Sequence, residues 1–127
     1  MKIDPSNLQL QINFIDSDLD PEEREEEARK LLNYLQELDE VEEVDRVREN
    51  PPEGSKALGG FLVGMITAQV KPKNIKGLMK FLGDRLGAKP IEMTVKTPDG
   101  RELSIKASSR EEFEFAMQKA EEFLVFS

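Results

Sequence analysis

The chain has 127 residues, of which 38% are hydrophobic and 35% charged, and a formal net charge of -8 at neutral pH. That length supports one core, and the composition is polar without being that of a disordered chain. The absence of cysteine and histidine excludes disulfides, thiolate nucleophiles, imidazole bases and zinc-type sites, and the acidic balance argues against nucleic-acid phosphates as a partner.

The chain reads as a single domain over residues 1–127, with residues 1–6 as a flexible N-terminus. Met1 to Ser17 lacks the basic start and long apolar stretch of a signal peptide, so a cytoplasmic protein is expected. Ala57 to Val70 is apolar but shorter than the roughly 20 residues that span a bilayer, so no membrane span is expected.

Leu8, Leu10, Ile12 and Phe14 alternate with Gln9, Gln11 and Asn13, the period of a strand with one buried face. Asp20-Pro21-Glu22-Glu23 then supplies an N-cap acid, a proline at the first helical position and a glutamate for a capping box. The helix that follows carries Ala28, Leu31, Leu32, Leu35 and Leu38 on one stripe, leaves Glu22, Glu25, Glu26 and Arg29 in water, and ends near Leu38. A short strand is expected at Glu43 to Arg48, before a turn at Pro51-Pro52-Glu53-Gly54-Ser55.

Ala57 to Thr67 is apolar nearly all round, as a buried helix is, and its glycines allow close packing. Asn74 is placed to cap a helix with the stripe Ile75, Leu78, Met79, Leu82 and Leu86, which Gly87 would end. Ile91, Met93 and Val95 alternate with polar residues, as do Leu103, Ile105 and Ala107 after Pro98-Asp99-Gly100, which predicts a hairpin. Ser109 and Glu112 form a second capping box for a helix with Phe113, Ala116, Met117, Ala120 and Leu124 on one face. The order βαβααββα implies an α+β fold, a single mixed four-stranded sheet with packed helices.

Asp16, Asp18, Asp20, Glu22 and Glu27 fall on calcium-loop positions, but Pro21 stands where that loop needs glycine, so a solvated turn with cap acids is the simpler account. Asp20 to Glu53 contains fourteen acids and five bases, whereas Lys71 to Lys89 contains six bases, Lys76 and Lys80 among them, and one acid. If the two segments face apart, the molecule is a charge dipole able to steer partners; the plainer alternative is two wet helix faces. Phe81 and Phe115 lie off their helical stripes, and Phe123 and Phe126 thicken the apolar C-terminus. Such aromatics either mark a docking surface or fold under a sheet edge. No nucleophile elbow, P-loop or dinucleotide-binding glycine motif is present.

Three stretches together resemble a known family. They are the acid-capped helix with Leu31-Leu32-Asn33-Tyr34-Leu35, the turn Pro51-Pro52-Glu53-Gly54 before an apolar small-residue helix, and Thr97-Pro98-Asp99-Gly100-Arg101 between two strands before a final helix. Over nearly the whole chain this order resembles the bacterial effector-associated constant component family, of the first type so named. The resemblance implies an unvarying, non-enzymatic partner in NTP-dependent conflict or signalling systems, whose companions include peptidases of the caspase and trypsin types. It implies no catalytic residue and no cofactor. It gives Pro51, Pro52 and Gly54 the role of a turn before the apolar helix, and Asp99 and Gly100 that of the hairpin tip. The chain departs from the family in having Val70-Lys71-Pro72-Lys73-Asn74 in place of a glycine-rich turn, and in lacking tryptophan.

The sequence therefore leads to a non-enzymatic adaptor or regulator that contacts another protein, a peptidase-type or NTPase effector, or weakly a second copy of itself. The alternatives are a small-ligand or ion-binding domain and a carboxylate-pair hydrolase, either of which needs a pocket with convergent acids.

Overall fold

Alternation makes β1 (Leu8–Phe14) a strand whose leucines, isoleucine and phenylalanine are buried while Gln9, Gln11 and Asn13 stay half-exposed. The computed structural model describes residues 7–47, 57–58, 61–86 and 89–125. Residues 1–6, the turn residues Pro51, Pro52 and Gly54, the helix terminator Gly87 and Phe126 lie outside the described residues.

α1 (Pro21–Leu35) opens with a full capping box: the Asp20 carboxylate accepts the Glu23 N–H at 2.8 Å, and the Glu23 carboxylate accepts the Asp20 N–H at 3.1 Å. It stops at Leu35, short of Leu38, where the chain turns into β2 (Val41–Arg46). Glu25, expected in water, is buried.

The buried helix expected over Ala57 to Thr67 is replaced by strands. β3 (Ala57–Leu58) and β4 (Phe61–Leu62) form a small pair, and β5 (Met65–Val70) joins the main sheet. Gly64, at φ 71°, turns the chain between β4 and β5 in the left-handed conformation, which a helix interior does not accommodate. β5 lies inside the sheet with Ile66, Ala68 and Val70 in the core and Thr67 and Gln69 on the other face, and the expected helix ended at Thr67, partway through that alternation.

A short 3-10 turn (Pro72–Asn74) leads into α2 (Ile75–Leu86), so Asn74 ends that turn just before the helix. β6 (Ile91–Lys96) and β7 (Glu102–Ala107) are the hairpin, and α3 (Arg110–Val125) starts after Ser109, whose hydroxyl accepts the Glu112 N–H at 3.2 Å. The main sheet has five strands, not four, in the order β2-β5-β1-β6-β7, and it is antiparallel throughout rather than mixed. The α+β class stands. One core lies between the sheet and the helices, built from Leu10, Ile12, Ile66, Met93 and Val95 below and Leu31, Leu35, Leu78, Leu82 and Phe113 above. No helix among the described residues is long and apolar enough to cross a membrane.

Candidate functional site

α2 is wedged between its neighbours. On one side Gly83 allows close approach to α3, since a Cβ there would lie 3.2 Å from Phe113 Cε1 and 3.3 Å from Met117 Sδ. On the other side the Phe81 ring meets Tyr34 of α1 with centroids 4.8 Å apart, and the Arg85 guanidinium sits 4.4 Å from the Tyr34 ring centre. Phe81 is thus half-buried in the α1–α2 seam and is not brought together with Phe115.

Phe115 is 58% exposed on the outer side of α3. The Lys119 ammonium lies 5.3 Å from its ring centre, and Phe123, four residues further along, is half-exposed with the Arg101 guanidinium 5.0 Å from its ring. Phe115, Lys119 and Phe123 therefore follow one another at helical spacing. Lys76 is exposed on α2. Lys80 lines a cleft of about 190 Å³ with Gly83, Asp84, Arg110, Phe113 and Met117, where Arg110 bridges Asp84 at 3.2 Å and Glu114 at 3.5 Å.

The acidic and basic segments do not wholly face apart. Lys89 of the basic segment pairs with Glu27 of α1, and Lys71 pairs with Glu42 at 3.2 Å, so part of the charge contrast is satisfied within the molecule. Asp20, Glu22, Glu23, Glu26, Glu27 and Lys30 border a depression of about 380 Å³ along α1. Two of those carboxylates are used in the capping box, and that of Asp16 accepts the Asp18 N–H at 3.0 Å. Among the described residues, no group of three or more acids is placed to hold a metal ion.

Glu25 is the one acid that the sequence misplaced in a way that matters. Its carboxylate takes both terminal nitrogens of Arg46 from β2 and accepts the Gly64 N–H at 3.2 Å, while Arg46 Nε donates to the Met65 carbonyl at 3.2 Å. Burial raises the Glu25 pKa, but the Arg46 hydrogen bonds, the Gly64 N–H and the charges of Arg46 and Arg29 together hold it below its ordinary value. The available signal was spacing: residue 25 stands three before Ala28 on the buried stripe of α1. The pair locks α1 to β2 and to the start of β5. Its acid and base neutralise each other, so it is a structural junction rather than a proton-transfer site.

At the hairpin tip Gly100 adopts φ 94°, its N–H donates to the Thr97 carbonyl at 3.0 Å, and the Thr97 N–H donates to the Arg101 carbonyl at 2.9 Å. The Thr97 hydroxyl bonds the Asp99 carboxylate and, with Arg101, holds its pKa below the usual value.

The sheet face opposite the helices carries polar cross-strand rows: Asp45, Thr67, Gln11, Thr94 and Ser104 in one, Glu43, Gln69, Gln9, Lys96 and Glu102 in the next. Thr94 and Ser104 share a hydrogen bond of 2.9 Å, and Gln9 donates to the Thr67 hydroxyl at 3.1 Å. No family model matches the chain, and no curated protein and no solved structure does so either.

Proposed function

We propose that the chain is a non-enzymatic protein-interaction component, an adaptor or regulator that docks another polypeptide on the outer side of α3. The observation that carries this is Phe115, 58% exposed beside Lys119, with the half-exposed Phe123 about two turns further along the same helix. An exposed ring leaves apolar area in water that a partner could cover at roughly 25 cal/mol per Å². Aromatic side chains are enriched at interfaces, and the surrounding charge would set on-rate and register more than affinity. The resemblance to the effector-associated constant component family names the kind of partner, a peptidase-type or NTPase effector of a bacterial conflict or signalling system. The runner-up, a small-ligand or ion-binding domain, rests on the acidic depression along α1, whose carboxylates are partly engaged in capping.

Affinity capture from an extract of the producing cell, with wild type and Phe115→Asp side by side, tests this reading. An exposed residue changes stability by only about 0.5 kcal/mol when replaced, so the variant stays folded by circular dichroism and loses a polypeptide that wild type retains. Equal capture by both proteins removes α3 as the docking surface, and an unfolded variant places Phe115 in the core instead.

A further inference from the structure

β7 closes one side of the main sheet and, among the described residues, pairs with β6 alone. The Thr97 N–H donates to the Arg101 carbonyl, and an antiparallel ladder alternates bonded and non-bonded pairs from that point. Leu103 and Ile105 therefore turn their backbone groups towards β6, while Glu102, Ser104 and Lys106 turn theirs outward. The side chains of these last three are exposed as well.

We propose that this edge pairs antiparallel with β7 of a second copy of the chain, about a two-fold axis through Ser104. Parity suits that register: the outward residues are 102, 104 and 106, and the axis sets 102 against 106 and 104 against itself, so every outward N–H and C=O finds a partner. It suits the charges too. Glu102 stands opposite Lys106 of the second copy, and because Glu102 already faces Lys96 and Lys106 faces Glu92 across the hairpin, the row runs Lys96, Glu102, Lys106, Glu92 with alternating sign across the joint. The hydroxyl row of Thr94 and Ser104 meets its own two-fold copy. On the helix-covered face Leu103 meets Ile105, two half-exposed apolar residues backed by buried Val95 and Met93.

Other pairings lose these matches. A two-residue slip sets Lys106 against Ser104, and a one-residue slip sends apolar side chains to the polar face. The opposite edge, β2, carries Glu42, Glu43 and Asp45 and a register shift between Val41 and Glu43, so two copies joined there would set acid against acid; charge and irregularity of this kind blunt an edge. An isologous contact at β7 closes on itself as a dimer, not a fibre. It uses none of the α3 residues named above.

Sedimentation equilibrium on the full chain is the test. Wild type forms dimers. Glu102→Lys or Lys106→Glu faces like charges twice across the axis and raises the dimer Kd by about tenfold or more, while an equimolar mixture of the two variants regains association because both charge pairs are again opposite in sign. Ser104→Cys introduces the only thiol in a chain without cysteine. The axis brings its two copies to a Cα separation of roughly 5.5 Å, within disulfide reach, so mild oxidation gives a covalent dimer, whereas Glu102→Cys does not cross-link. A wild type that stays monomeric at all concentrations overturns the proposal. So do charge variants that associate like wild type, a mixture as weak as its components, or cross-linking of Glu102→Cys as ready as that of Ser104→Cys. Circular dichroism confirms that each variant is folded, and Ser104→Cys, a near-isosteric change on an exposed edge, keeps the test open if a charge variant is not.

Discussion

Replacing Glu25 by alanine should be the most damaging single change to a charged residue. The Glu25 side chain is 6% exposed and that of Arg46 10%, so removing the carboxylate leaves a guanidinium in a poorly solvated place without its counter-charge and takes the acceptor from the Gly64 N–H. Breaking one partner out of a buried pair costs roughly 3 to 5 kcal/mol. Arg29, 3.9 Å away and 61% exposed, adds little to the pair. Against a domain stability of roughly 5 to 15 kcal/mol, that loss takes a large share. Replacing both partners by methionine removes the stranded charge, and the double variant should be more stable than Glu25→Ala. Urea denaturation followed by circular dichroism reads both effects. The pH dependence has a definite sign: the folded pKa lies below the unfolded one, so the contribution is fully present above an unfolded value of about 4.3 and is lost as pH falls through the folded value. Glu25→Gln, which does not titrate, should flatten that acid limb. A Glu25→Ala loss under about 1 kcal/mol, or an acid limb unchanged in Glu25→Gln, would refute the account of this junction.

Gly100→Val should lower stability by roughly 1 to 2 kcal/mol, because φ 94° suits no β-branched residue; equal denaturant midpoints for variant and wild type would contradict it. Millimolar calcium should leave the melting temperature unchanged, since the Asp20 and Glu23 carboxylates are engaged with backbone N–H groups and Pro21 starts the helix inside the would-be loop. A rise of several degrees would show that these acids converge on an ion.

The parts legible in the sequence were those where local chemistry and tertiary environment agree. β1, the β6–β7 hairpin and α3 each have one buried face, so their periods survive, and Asp20 with Pro21 and Glu23 marks the start of α1 without reference to the rest of the fold. β5 was hidden because its alternation of Ile66, Ala68 and Val70 with Thr67 and Gln69 follows directly on the apolar stretch that reads as a helix ending at Thr67, inside that alternation, and the glycine that reads as helix packing is a left-handed turn. With β5 went the fifth strand and the antiparallel order. The Glu25–Arg46 pair was hidden for another reason: among Glu22, Glu23, Glu26 and Glu27, nothing but position on the stripe sets Glu25 apart, and its partner lies twenty-one residues away. Of the two aromatics singled out as off-stripe, Phe81 found Tyr34 across a helix seam while Phe115 stayed in water, a difference fixed by which helix neighbours which face.

Hydroxyl-radical footprinting of the chain, alone and bound to the polypeptide that it captures, tests the interaction role most directly, because it reads side-chain exposure residue by residue. The account predicts that oxidation of Phe115 and Phe123 falls on binding while that of Leu19, at the acidic depression, does not change. Protection confined to Leu19 and its surroundings, with Phe115 oxidised as in the free protein, would contradict it.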